Sequence, residues 1–347
     1  MGPAPITLAT GAAGAALATA LHMPAPFLTG PALAVTVLAL AGRRVEVPAW
    51  LRDTCFVLIG VNMGGGVTPE AVQSAIRWPL SLAVLTICIL AIIVLGARLL
   101  RRVFGFDPMS ALLTATPGHL SFVLSLSTDV KADLPRVTMI QTLRVLSLTL
   151  IVPFVAPLLG HGDLPALPPR GPDMALFVLV PLIALSTLAG LALARLRVPA
   201  GLLLGGMCLS ALAHGTGTVS GAVPAWLAVP AFVLMGTLIG TRFSGATPRL
   251  VLESLGAASL LTGFAALVSL AGAALVSAML GIPMLSALIA FAPGGLETMM
   301  AMSLLLNADP AYVASHHVFR LLLLTAILPV AVARTRSAMA RARPQDR

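Results

Sequence analysis

Charge is scarce in this chain. Only 10% of its 347 residues are Asp, Glu, Lys or Arg, whereas a soluble domain carries roughly 25%. No charge falls in 80–97, 145–160, 174–194 or 254–290, and a membrane span needs about 20 residues. With 58% hydrophobic residues and a mean hydropathy of +1.01, a water-soluble fold is excluded. The expected class is an all-α integral membrane protein. Cysteine is scarce too: Cys55, Cys88 and Cys208 are odd in number, form no C-x-x-C and lie in apolar runs. That excludes a disulfide framework and a cysteine-based zinc site. No Walker A loop, Gly-x-Ser-x-Gly elbow or Rossmann fingerprint is present, so ATP-driven transport by this chain is not expected. No His/Cys/Asp cluster has metal-ligand spacing. Neither a metal nor a cofactor is therefore expected, and the chain does not read as an enzyme.

Acids are few beside bases: 12 Asp and Glu against 21 Lys and Arg, a net charge of +9. The basic residues flank the apolar runs, so they report on membrane topology and lipid headgroups, and no nucleic acid is implied. The N-terminal MGPAPITLATGAAGAALATAL lacks a basic n-region and has a counterpart in mid-chain, so it reads as a first span rather than a signal peptide.

The chain is written twice. VPAWL occurs at 47–51 and 223–227. Phe56-Val57-Leu58 is echoed by Phe232-Val233-Leu234, and Gly60 and Gly64 by Gly236 and Gly240. Pro117-Gly118 matches Pro293-Gly294, and Asp133, Val137 and Arg144 match Asp309, Val313 and Arg320. All these pairs are 176 residues apart. The expected organisation is a membrane repeat over 1–160, a linker over 161–173, a second repeat over 174–334 and a basic cytoplasmic tail over 335–347. Each repeat holds six apolar segments, and the fifth (107–127, 284–306) carries a Pro-Gly break.

Basic residues arbitrate the topology. If each fifth segment returns to its side of entry, each repeat crosses five times and the repeats insert in opposite orientations. With the C-terminus in the cytoplasm, 17 basic residues then lie inside and only Arg77 and Arg170 outside, with Arg144 and Arg320 within spans. If the fifth segment crosses, the split falls to 12 against 7. The sequence therefore predicts two inverted-topology repeats of about 10 spans with two broken or re-entrant segments. Both termini are expected inside, in the cytoplasmic (inner) membrane of a bacterium.

Non-helical backbone at membrane depth must be buried in protein or face water. Paired Gly/Pro breaks at corresponding positions are the best sequence pointer to a transporter site. Pro117 and Pro293 are expected in the first turn of a new helix, whose free N–H groups would favour an anion. The first break offers Thr114, Thr116, Pro117, Gly118, His119 and Ser121; the second offers Pro293, Gly294, Gly295, Glu297 and Thr298. Arg144 and Arg320 lie some 12 to 16 Å into the sixth segments, sharing a face with Gln141 and His317 three residues earlier. Paired guanidinium groups suit carboxylate or phosphate recognition; capping freed carbonyls is the structural alternative. Glu297 and Asn62 are coupling-ion candidates. His214 reads as a loop and packing residue. The neighbours His316 and His317 point to different faces, so at most one joins a shared site.

The breaks ATPGHLS (115–121) and APGGLE (292–297), each followed by an Asp and an Arg-bearing span, carry a resemblance. The chain resembles the AbrB family of bacterial membrane proteins, defined by a duplicated domain with A-T-P-G-G-L-S/T-E in each copy. The likeness covers nearly the whole chain. Here His119 replaces the second Gly and Ser121-Phe122 stands where Ser-Glu is usual. The resemblance thus implies a first break without the carboxylate that the second keeps as Glu297. Members carry labels of ammonia monooxygenase or regulator of gene expression. The family shares its name with a soluble DNA-binding regulator that this chain does not look like.

The leading expectation is a secondary transporter of a small anionic organic solute, coupled to H+ or Na+, with its site at the two breaks near the midplane. The alternative is a membrane-embedded ligand-sensing regulator of gene expression that transports nothing. A monooxygenase is disfavoured by the missing copper or iron ligand set. A homodimer is one expectation for the assembly.

Overall fold

The computed structural model describes residues 2–66, 78–118, 120–130, 132–156, 172–196, 198 and 200–342. Fourteen helices and no strand occur among them, with one isolated bridge between Asp173 and Ala222. The linker expected over 161–173 lies outside the described residues except for its last two positions.

The first repeat comprises α1 (Pro3–Ala20), α2 (Pro26–Leu40), α3 (Ala49–Gly64), α4 (Trp78–Phe104), α5 (Pro108–Ala115), α6 (Leu120–Asp129) and α7 (Leu134–Val155). The second comprises α8 (Leu176–Arg195), α9 (Gly201–Gly215), α10 (Ala225–Thr241), α11 (Pro248–Leu280), α12 (Met284–Phe291), α13 (Leu296–Leu305) and α14 (Pro310–Ala342). Each helix of the first series has its counterpart in the second, and each fifth apolar segment is two short helices. Five helices (α4, α7, α8, α11, α14) are long and apolar enough to cross a membrane. Their outer faces carry exposed side chains such as Phe177, Leu252 and Ile87, which water would not tolerate at this density. This is an all-α membrane protein.

Local chemistry sets the helix ends. Asp107 accepts from the N–H groups of Met109 and Ser110, and Asp133 from that of Arg136. Asp309 accepts from Ala311 and Tyr312, so the matched Asp133 and Asp309 are N-caps of equivalent helices. α14 runs on to Ala342, well into the stretch expected as a tail. The reason is that Arg, Ala and Met favour helix and nothing breaks it before Pro344.

The helices sort into two groups that cut across the repeats. Contacts are dense within α1–α3 with α8–α10, dense within α4–α7 with α11–α14, and sparse between. In the first group, or panel, α2 lies on α10 and α3 on α9. Gly60 sits so close to the backbone of Leu203, and Gly236 to that of Leu28, that neither could carry a Cβ without a shift. The second group is the core. There the fourth helices pair: Cys88 meets Gly272, Gly96 meets Leu261, and Phe104 meets Gly256. As numbers rise along α4 they fall along α11, so the pair is antiparallel.

Candidate functional site

Both breaks lie inside the core. α5 ends at Ala115 and α12 at Phe291, because the following residues, Thr116 and Ala292, hold ψ of 121° and 131°. A residue before proline is pushed out of the helical region. Pro117 and Pro293 therefore close the preceding helix. This corrects the expectation that they start the next one, which begins three residues later at Leu120 and Leu296. Pro117, Pro293, Gly294 and Gly295 are buried. No side chain caps the N-terminus of α13, where Gly295 is the N-cap residue and Glu297 lies in the first turn.

Each break is tied to the helix that follows it. Ser110 Oγ accepts from the N–H of Asp133, and Ser286 Oγ from that of Asp309. About two turns further on, Gln141 Nε2 donates to the carbonyls of Leu113 (2.9 Å) and Thr116 (3.1 Å). His317 Nε2 donates to that of Ile289 (3.0 Å). A carbonyl only accepts, so His317 carries its proton on Nε2 and leaves Nδ1 as an acceptor. Arg320 Nη2 donates to that Nδ1 at 2.6 Å, as Arg144 Nη2 donates to Gln141 Oε1 at 2.8 Å. An amide in one repeat and an imidazole in the other thus do the same two jobs.

The arginines are both 1% exposed. Arg320 also donates from Nη1 to Ala292 O and from Nη2 to Gly294 O, both at 2.7 Å, leaving only Nε without a partner. Arg144 reaches one carbonyl, Thr116 O, at 3.3 Å, and its Nε and Nη1 have no partner. The repeats meet here. Gly118, in the first break at φ +85°, lies against the guanidinium of Arg320, and a Cβ there would come within 2.7 Å of Nε and Nη2. Arg144 bonds Thr116 O and Arg320 lies against Gly118, two residues further along the same break.

Of the other candidates, Thr298 is buried beside Gly295, and Glu297 is half-buried. Glu297 Oε2 lies 3.8 Å and Arg242 Nη1 3.9 Å from the point a Cβ would occupy on Gly295. Neither ion pair among the described residues involves Glu297. Thr116 is buried, its hydroxyl donating to Leu112 O; Thr114 is buried with an unpartnered hydroxyl. Ser121 lies on α6, and His119 falls outside the described residues. Asn62 is half-buried on α3 in the panel and makes no hydrogen bond to either arginine's partners among the described residues. His214 bonds the carbonyls of Ser210 and Gly221, a packing role.

Sequence reasoning missed one cluster. The adjacent histidines divide: His317 joins Arg320, while His316 turns to Ser81 Oγ (2.8 Å), which also bonds the hydroxyl of Tyr312. Trp78 stacks edge-on against both rings. Ser81 is 231 residues from Tyr312, and no local pattern announces such a partner.

The chain is thus a helical membrane protein with a pair of buried arginines, each bonded to the backbone of a helix break. The family described as "Transition state regulatory protein AbrB" matches residues 27–336, and the chain belongs to that family. It is 27% identical over 313 residues to "Putative regulator AbrB" of Escherichia coli (strain K12), covering 87% of each chain. It is 27% identical over 294 residues to protein YhjN of Bacillus subtilis (strain 168), covering 79% of this chain and 75% of that one.

Proposed function

We propose that the protein is a secondary transporter of a small anionic organic solute, driven by H+ or Na+, and not an enzyme. The observation that carries this is Arg144: a buried guanidinium with two unpartnered nitrogens, beside a second buried cation and with no carboxylate bonded to either. Leaving charge so exposed to low dielectric costs several kcal/mol in order of magnitude, and an anion bound by Arg144 offsets it. Glu297 and Asn62 remain the coupling-ion candidates.

Three features support alternating access. Equivalent helices α4 and α11 run antiparallel, as inverted repeats require. α12 lies beside α14 from Ser286–Asp309 to Ala292–Arg320. The ten residues of α13, about 15 Å, match the distance back to Asp309, as a re-entrant hairpin requires. The sparse seam between panel and core fits rigid-body movement of one against the other. The distribution of basic residues favours both termini in the cytoplasm.

A second reading rests on the names of the family and of the Escherichia coli relative, both of which say regulator. There the same site senses a ligand and no solute crosses.

The test starts with thermal unfolding of detergent-purified protein against small carboxylates, phosphates and amino acids, with Arg144→Met alongside. A ligand of the native state raises the melting temperature by mass action. One anion class should stabilise the wild type and not the variant. Proteoliposomes loaded under a proton or sodium gradient then separate the readings: uptake of that anion is expected of a transporter. Binding without uptake would leave the sensor. Stabilisation that survives Arg144→Met would remove the site assignment.

A further inference from the structure

We infer that the basic end of α4 is a site for one anionic diacyl phospholipid. Arg98, Arg101 and Arg102 are spaced i, i+3 and i+4, so the three guanidinium groups share one helix face. All three are exposed, and like charges at that spacing repel one another. Neither ion pair among the described residues involves them. The carboxylates at this end are engaged elsewhere. Asp107 caps its own helix, and Glu253 pairs with Arg249 at 2.7 Å. A fourth cation stands close by, for Arg136 lies over the ring of Phe106, 4.7 Å from its centroid.

The surface around the cluster has the shape of an amphiphile. A cleft of about 490 Å³ is lined by all three arginines with Gly105, Phe106 and Pro108. A second, of about 410 Å³, shares Arg98 and Arg102 but continues over Leu95 and Leu99 to Phe264 of α11. The first is half polar, with three guanidinium groups in its wall, and suits a phosphate. The second is an apolar groove between two lipid-facing helices and suits acyl chains. Depth agrees: α4 is 27 residues long, about 40 Å, against a hydrocarbon core of about 30 Å. Its last turns therefore stand at headgroup level. Bidentate guanidinium groups match phosphate geometry, and the apolar groove favours a lipid phosphate over a free one. Since α4 and α11 pair within the core, a lipid here would also grip the group of helices that holds both breaks.

Binding of an anionic diacyl phosphatidylglycerol to the purified full chain is measured by native mass spectrometry. Phosphatidylcholine, glycerol phosphate and inorganic phosphate are the comparison ligands. We expect the anionic lipid to bind, and Arg98→Gln with Arg102→Gln to weaken it about thirtyfold, at a few-fold per basic residue. Arg43→Gln with Arg44→Gln, exposed bases at another helix end, should leave binding within twofold. Equal binding of phosphatidylcholine, or an unchanged affinity in the Arg98/Arg102 variant, overturns the proposal. Equal loss in the Arg43/Arg44 variant would reduce it to a diffuse surface field and overturn it too. Competition by inorganic phosphate as strong as by the lipid would make this a soluble-anion site instead. Leu95→Trp keeps every arginine and so remains available if the double variant does not fold. Its fluorescence, relative to the unsubstituted protein, should be quenched more by brominated anionic lipid than by brominated phosphatidylcholine; equal quenching sinks the site.

Discussion

Arg320 commits three hydrogen bonds to its own break, to Ala292 O, Gly294 O and His317 Nδ1, all at 2.7 Å or less. Arg144, its equivalent 176 residues earlier, makes two and keeps Nε and Nη1 open. The same residue stands at corresponding positions of α7 and α14, and the surroundings give it two tasks. The second copy clasps carbonyls that a helix break has freed. The first retains donors in a place where water is excluded. Structural support thus falls on Arg320, and the anion binding proposed above falls on Arg144, whose Nε and Nη1 are unpartnered.

Removing the clasp should have the largest effect on stability. Arg320→Met leaves two buried carbonyls and the imidazole acceptor unpaired, and a broken buried charge network costs about 3–5 kcal/mol. Thermal or denaturant unfolding in detergent should show it; a cost below about 1 kcal/mol would erase the contrast with Arg144. Gly118→Ala comes next, at about 1–3 kcal/mol. It forces a Cβ into a left-handed conformation against the Arg320 guanidinium, and it should also weaken any ligand held between the breaks. A ligand response unaltered in Gly118→Ala would mean that the two breaks do not share one site.

Arg144→Met should change stability by less than about 1 kcal/mol or raise it, because apolar replacement of poorly paired buried charge is often neutral or favourable. Thr116 O keeps its bond from Gln141 in that variant. A large destabilisation would show Arg144 to be a second clasp. Smallest of all is Glu297→Gln, expected within about 0.5 kcal/mol in unfolding since no ion pair is lost. Its ligand response should nevertheless disappear if this carboxylate serves the site. An undiminished response would confine the chemistry to the arginines.

Much of this was legible in residue order. Apolar runs set twelve segments, and the two broken ones, 107–127 and 284–306, agree with the helix pairs α5–α6 and α12–α13 to within about two residues at their ends. Helical period put Gln141 beside Arg144 and His317 beside Arg320, and the hydrogen bonds bear out both pairs. The prolines misled in one respect. Their preference for a first helical turn was outweighed by the restriction that each imposes on the residue before it. Nothing local pointed to Ser81 beside Tyr312 and His316, or to Gly118 against Arg320, which are some 200 residues apart.

Composition and periodicity by themselves determined an all-α membrane chain with two Pro-Gly breaks and two arginines inside apolar segments. These are properties of single segments, fixed by the cost of polar groups in hydrocarbon and by 3.6 residues per turn. Only the tertiary structure decided that the repeats interleave into panel and core, and that the second copy's arginine closes its break while the first copy's stays open. Those outcomes depend on which backbones approach closely enough to exchange hydrogen bonds, and that distance is set by packing between repeats rather than by either repeat's own sequence.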